Sequence, residues 1–499
     1  MKNNFYMEEK NKKEIVTRFA PSPTGFLHIG GVRTAIYAWL WARKNNGKFI
    51  LRIEDTDKER EVSGSIDHII KSLKWVRLDW DYGPDKEGPA GSYIQSKRLD
   101  IYKKYADQLV AKGLAYADPY TEEELESFRK KSEEEKKPFL YRNHRPENPP
   151  VWDGTKPLRL KITNIKNSEW CDVTRGNLKA GAEALDDFIL IKSDGYPTYN
   201  FAHIIDDYEM GVTHIMRADE FIASTPKFLA LYEALGIERP EFVTLPPILG
   251  KDGKKKLGKR DGAKDFLEYS KDGYLPEAML NFLAFIGWNP GDNREIMTKE
   301  EIISAFDVKQ IQISGGMFNE EKLDWINHEH LKKMSDKEQQ NYVISFIPER
   351  IKNLAGYNEE IVRKITPIIM ERIKKGIDMN IMSENKDLDY YFVRPDYERD
   401  SLFFKSSKIE GDKYTTLAQY LEKVIEILQT INDDEFNKEK VKEIIWPYAE
   451  EVGRGDILWP LRYSLSGMDK SPDPFCLSEI LGKEETINRL NISISLLKK

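Results

Sequence analysis

Along the first fifty residues the spacing of apolar positions changes twice. Ile15, Val16 and Phe19 flank Arg18 as β-formers, and Pro21, Pro23 and Gly25 then stop strand and helix alike. A strand followed by a loop is the prediction. Beyond the loop Val32, Ala35, Ile36, Trp39 and Leu40 recur at i, i+3, i+4, i+7 and i+8, which predicts an amphipathic helix from about Gly30 to Gly47. A second strand, residues 48–53, follows at once. Strand, glycine turn, helix and strand make a βαβ unit, whose ligand crevice lies beyond the carboxyl ends of the strands and against the helix N-terminus. Arg18, His28, Gly30, Gly31, Glu54 and Asp57 all fall near that edge. Glycines there let phosphate oxygens approach backbone N–H groups, and an imidazole beside them can donate to a phosphate.

After about residue 110 the pattern lapses. Residues 121–157 are charged, carry prolines and show no clear periodicity, so they read as an insertion. Alternation returns at 158–162 and 188–191, and the first fold resumes with Gly195-Tyr196-Pro197-Thr198-Tyr199. Asp206 and Asp207 end an apolar run and read either as magnesium ligands or as solvated acids at a strand end. From about Asn319 the texture becomes Lys/Glu-rich amphipathic helix, with Leu417, Tyr420, Leu421, Val424, Leu428 and Ile431 forming one apolar stripe. These shifts divide the chain into a tail (1–13), a nucleotide-binding part (14–110), an insertion (111–187), a second nucleotide-binding part (188–250), a region opened by a basic loop (251–325) and a helical region (326–499).

At 499 residues the chain is too long for one core, and 40% hydrophobic with 32% charged residues describes a globular protein. No apolar run approaches the ~18 residues of a membrane span, and the N-terminal stretch lacks a signal-like apolar segment. A cytoplasmic protein with a frayed tail is expected. Cys171 and Cys476 lie far apart, which supports neither a disulfide framework nor a cysteine zinc site. The net charge of −7 argues weakly against indiscriminate nucleic-acid binding, yet residues 251–264 hold seven basic and two acidic side chains. That local excess suggests an anionic ligand. Gly253 to Lys259 also fits the G-x-x-x-x-G-K phosphate loop, but Arg260 stands where a magnesium-binding hydroxyl is needed, and Pro246-Pro247 and Asp261-Gly262 flank it poorly.

Pro-Ser-Pro-Thr-Gly-x-x-His-Ile-Gly-Gly at 21–31, then Arg33-Thr34-Ala35 and Arg-Ile-Glu-Asp-Thr-Asp at 52–57, resemble the signature region of class I aminoacyl-tRNA synthetases. More narrowly, they resemble the bacterial glutamyl-tRNA synthetases, and the likeness runs from about Val16 to Leu490. Lys256-Leu257-Gly258-Lys259-Arg260 resembles the second motif of that class, with Gly258 where serine is usual. A helical rather than β-barrel C-terminal region fits the bacterial type.

The resemblance implies an α/β fold: a Rossmann-type catalytic domain interrupted by an acceptor-end domain at 111–187, a stem-contact region at 251–325 and an all-α anticodon-binding region at 326–499. It implies attachment of L-glutamate to tRNA(Glu) through a glutamyl-adenylate, with ATP and Mg2+ and without a resident metal. His28, Gly30, Gly31, Lys256, Lys259 and Arg260 would meet ATP, with His28 and Lys259 stabilising the α-phosphate. Arg18, Ser22, Glu54, Tyr199 and Arg217 would hold glutamate, Glu54 on the ammonium and the two arginines on the carboxylates in an order left open. Some members carry a zinc cluster whose ligands this chain lacks, so no zinc is expected. His203 reads as a packing residue behind the pocket. Charging of tRNA(Gln) as well is left open, and a monomer is expected.

Overall fold

Val16, Thr17, Arg18 and Phe19 form the first strand, β1 (Val16–Phe19), of the computed structural model, which describes residues 13–258, 264–407 and 409–499. The helix Ile29–Lys44 follows, and β2 (Lys48–Leu51) returns parallel to β1. The helix packs tightly because its apolar stripe, including Val32, Ala35, Ile36 and Leu40, is fully buried. Gly47 is required at the return: a Cβ there would sit 2.0 Å from the Ile15 carbonyl oxygen.

Further along come β3 (Ala115–Ala117), β4 (Leu158–Leu160), β5 (Ser168–Asp172), β6 (Gly176–Ala180), β7 (Ile189–Ile191), β8 (His214–Ala218), β9 (Glu241–Leu245) and a short parallel pair, β10 (Ile248–Leu249) and β11 (Gly316–Met317). β1 and β2 join β5, β6, β8 and β9 in one six-stranded sheet of order β2-β1-β8-β9-β5-β6, parallel except for the edge strand β6. From β1 the chain crosses one way to β2, and it later returns on the other side of β1 as β8. The gap between β1 and β8 is therefore the topological switch point, where ligands of such sheets bind beyond the carboxyl ends.

The segment 111–187 contributes to two sheets. Its β3 and β4 join β7 in a three-stranded antiparallel sheet, whereas β5 and β6 extend the main sheet beside β9. The insertion expected there is thus not closed on itself. Asp172 secures the join by accepting hydrogen bonds from the Thr244 and Thr174 hydroxyls at 2.6 and 2.8 Å.

The chain divides into two compact units, Met1–Ile326 and Asn327–Lys499. Among its described residues the second unit holds helices and no strand. Leu417, Leu421, Val424 and Leu428 on the helix Lys413–Gln429 are buried, as their spacing predicts. No described helix is long and apolar enough to cross a membrane.

Candidate functional site

A cavity of about 580 Å³ opens at the carboxyl ends of β1 and β8. Arg18, Ser22, His28, Gly30, Gly31, Glu54, Tyr199, Arg217 and Lys256 all line it. Residues up to 238 positions apart in sequence thus share one wall. Lys259 and Arg260 lie outside the described residues.

At the nucleotide end, His28 has extended backbone (φ −119°, ψ 172°) and caps the helix Ile29–Lys44, its Nδ1 accepting from the Gly30 N–H at 3.1 Å. A Cβ on residue 30 would lie 2.9 Å from the imidazole, so glycine is what lets the ring fold back over the helix start. With Nδ1 accepting, the proton of a neutral His28 resides on Nε2. Arg33, one turn on, is buried; it donates Nη1 to the Ile286 carbonyl at 3.2 Å and Nη2 to the Pro246 carbonyl. It ties the helix to the chain beside the second motif. Lys256 at the rim is ion-paired with Glu220.

At the other end two arginines stand in opposite circumstances. Arg18 grips Asp207 with both arms of its fork, Nε to Oδ1 at 3.0 Å and Nη2 to Oδ2 at 3.2 Å. Arg52, wholly buried, donates Nη1 to Asp207 Oδ1 at 2.6 Å and both Nε and Nη2 to Glu54 Oε1 at 3.2 and 2.8 Å. Burial would raise the Asp207 pKa, but Arg18 and Arg52 together hold it well below the usual carboxylate range. Burial dominates at Glu54 and pushes its pKa up despite the Arg52 contact.

Arg217 has no carboxylate partner among the described residues. Its Nη2 donates to Thr225 Oγ1 at 2.8 Å, and Nη1 is buried without a hydrogen-bond partner. The Phe228 and Phe242 rings lie 5.0 and 4.7 Å from its guanidinium carbon. Burial lowers its pKa. Such a group is costly to leave unmatched, and an anion entering the cavity would match it.

Tyr199 begins the helix Tyr199–Glu209, and His203 one turn later stacks on its ring at 4.5 Å. His203 Nδ1 donates to the Tyr199 carbonyl at 2.7 Å, and burial drives the imidazole pKa down to about 3, so the ring is neutral.

Asp206 and Asp207 correct the sequence reading. They are not solvated acids at a strand end: both lie buried on a helix, with their oxygens accepting from cations and other donors. Asp206 accepts from Arg98 Nε at 2.7 Å, Gln95 Nε2 at 2.8 Å and the Tyr102 hydroxyl at 2.8 Å. Buried carboxylates need such partners. No group of three or more metal-ligating side chains stands ready for an ion among the described residues. Arg52 and Thr225 belong to the site without being named by the sequence, and Asp207 enters it as the partner of Arg18 and Arg52 rather than in the role read for it. The only signal was the place of Arg52 two residues before Glu54 on an extended segment, which puts both side chains on one face.

Comparison with known proteins follows the same division of the chain. Residues 14–325 match the family described as tRNA synthetases class I (E and Q), catalytic domain, and residues 329–494 match an anticodon binding domain. A glutamate–tRNA ligase of Clostridium acetobutylicum is 39% identical over 497 residues, covering 97% of this chain and 99% of that protein. One of Clostridium tetani is 38% identical over 499 residues, covering 98% and 99%. The crystal structure of a glutamate tRNA ligase from Elizabethkingia meningosepticum in complex with its amino acid superposes with a TM-score of 0.84 at 35% identity, covering 97% of this chain and 100% of that one. With a switch-point cavity built on these motifs and a family match over more than half its length, the chain belongs to the class I tRNA synthetases of the E and Q type.

Proposed function

We propose that this protein attaches L-glutamate to tRNA(Glu) in two steps at the β1/β8 cavity. A glutamate α-carboxylate oxygen attacks the α-phosphorus of ATP, forming glutamyl-adenylate and expelling pyrophosphate. The ribose hydroxyl of the tRNA's terminal adenosine then attacks the acyl carbon, AMP leaves, and the hydroxyl proton passes to solvent. No covalent enzyme intermediate is needed, so orientation and charge stabilisation do the work.

The observation that carries this reading is Arg217: a buried guanidinium with an unpartnered Nη1 on the cavity wall. Glutamate supplies a carboxylate for it. Glu54 offers Oε2 to the ammonium because Arg52 occupies Oε1. Arg18 keeps donor capacity for the second carboxylate beyond its bonds to Asp207, and Ser22 and Tyr199 add hydroxyls. His28, Gly30, Gly31, Lys256, Lys259 and Arg260 take the phosphates, with His28 and Lys259 opposing charge as it builds on the α-phosphate. Magnesium arrives with ATP as part of that substrate. Residues 326–499 read the anticodon and 111–187 receive the acceptor end. The enzyme acts as a monomer in the cytoplasm, where tRNA is charged.

The test is pyrophosphate exchange into ATP with purified enzyme, glutamate and tRNA(Glu), and charging of tRNA(Glu) and tRNA(Gln) in parallel. Exchange that needs glutamate is expected, and its absence would overturn the reading. Charging of tRNA(Gln) at a comparable rate would make the enzyme non-discriminating.

A further inference from the structure

The segment leading into His28 is held at alternate residues against a neighbouring helix and the chain just before it. Pro23 O accepts from the Val62 N–H at 2.9 Å, Gly25 O from the Ser65 hydroxyl at 2.7 Å, and the Leu27 N–H donates to His68 Nδ1 at 3.2 Å. Ser65 and His68 sit on the helix Ser65–Trp75. The other ring nitrogen, His68 Nε2, meets Asp265 Oδ1 at 2.6 Å. Because Nδ1 accepts from an amide, Nε2 carries the proton and donates to the carboxylate. Asp265 follows the Lys-Leu-Gly-Lys-Arg motif in sequence, and the next residue closes the circuit: the Phe266 N–H donates to the Leu27 carbonyl at 3.0 Å. Leu27, His68, Asp265 and Phe266 thus form a closed hydrogen-bonded ring. The His68 side chain is 9% exposed, and the Phe26 ring stacks on it at 4.6 Å with 12° between planes.

This ring joins residues from three separate parts of the sequence. Leu27 immediately precedes the His28 cap, and Asp265 also caps the helix Phe266–Lys271 through the Leu267 N–H at 2.8 Å. We propose that His68 is a positioning residue for adenylate formation: by bridging Leu27 and Asp265 it fixes the spacing between the His28 end of the ATP site and the chain that follows the second motif. The inference rests on the adenylate-forming reading of the cavity. Hydrogen bonds on both ring nitrogens determine the tautomer and rotamer of His68, so neither anchor can shift without breaking a bond in the ring. Misplacement of a reacting group by about 1 Å costs on the order of 100-fold in rate, so a bridge one residue from His28 acts on the chemistry without touching substrate.

The test is a double-mutant cycle read by glutamate- and tRNA(Glu)-dependent pyrophosphate exchange. His68→Ala and Asp265→Ala should each lower kcat by about 10–100-fold and leave the KM for glutamate within about twofold, since Arg217 and Glu54 are anchored elsewhere. The double variant should be no slower than the worse single one. Asp265→Asn keeps Oδ1 as acceptor for both His68 and the Leu267 N–H, and should retain near wild-type exchange. Multiplying losses in the double variant, an Asp265→Asn rate as low as Asp265→Ala, or unchanged kcat in the alanine variants would overturn the proposal. Should His68→Ala fail to fold, the Asp265 pair decides alone. Wild-type exchange in the same experiment reads the proposed function separately: if it is absent, that reading falls, and if it is present while the cycle is additive, only the role of His68 falls.

Discussion

Arg18 at the end of β1 and Arg217 at the end of β8 face the same cavity, yet the protein treats them oppositely. Arg18 belongs to a buried network with Asp207, Arg52 and Glu54, in which each guanidinium has a carboxylate partner. Arg217 sits among aromatic rings with one hydroxyl partner and a buried, unmatched Nη1. A matched charge is a fixture of the fold. An unmatched one is a demand for a ligand, because the desolvation cost is already met before the anion arrives. The difference separates what these arginines do: removing part of the first network should be felt in folding, and removing Arg217 in substrate affinity.

The largest effect tests the fixture. Asp207→Ala leaves the buried Arg18 and Arg52 with less counter-charge, and should cost about 3–5 kcal/mol of stability in urea unfolding. A loss below about 1 kcal/mol would mean that the network contributes little to the fold. Arg217→Ala should instead fold well and lose about 2–5 kcal/mol in kcat/KM for glutamate. Should it destabilise the protein as much as Asp207→Ala while glutamate kinetics hold, the contrast between the two arginines would collapse.

His203 sharpens the comparison through pH, because it is a buried neutral ring stacked on the cavity-lining Tyr199. Below its ordinary value of 6.5 the unfolded chain takes up a proton that the folded chain refuses until about pH 3, so stability should fall as the pH drops through that window. Between about pH 6.5 and 4.5 the expected loss is on the order of 2–3 kcal/mol. The Asp207 carboxylate, with its depressed folded pKa, acts in the same direction at lower pH. His203→Asn should show a shallower decline than the wild type in unfolding at several pH values, and parallel curves would remove His203 as the cause. The smallest effect concerns the single hydroxyl on Arg217. Thr225→Val should weaken the guanidinium's alignment by about 1 kcal/mol, visible as a several-fold rise in the glutamate KM with kcat little changed.

The order of elements around the first motif could be read from sequence because it depends on neighbours in the chain. The turn at Pro21–Gly25, the helical stripe from Val32 to Leu40 and the following strand are local patterns, and the helix Ile29–Lys44 and β2 lie where those patterns predict. The same holds for Leu417, Leu421, Val424 and Leu428 on one helical face. The motifs also named most of the side chains that line the cavity.

Partnership could not be read in this way. Asp206 and Asp207 were seen as acids but not as buried helical acids, because nothing adjacent in sequence shows that Arg18, Arg52 and Arg98 will reach them. The hairpin β5–β6 gave no sign that its partner would be β9 rather than a strand of its own insertion. The unmatched state of Arg217 and the His68 bridge to Asp265 are likewise relations between distant segments. Composition and periodicity fix which groups the chain carries and how each short stretch folds. Desolvation and hydrogen bonding across the assembled sheet and helices decide which charges neutralise each other and which, like Arg217, are left without a counter-ion.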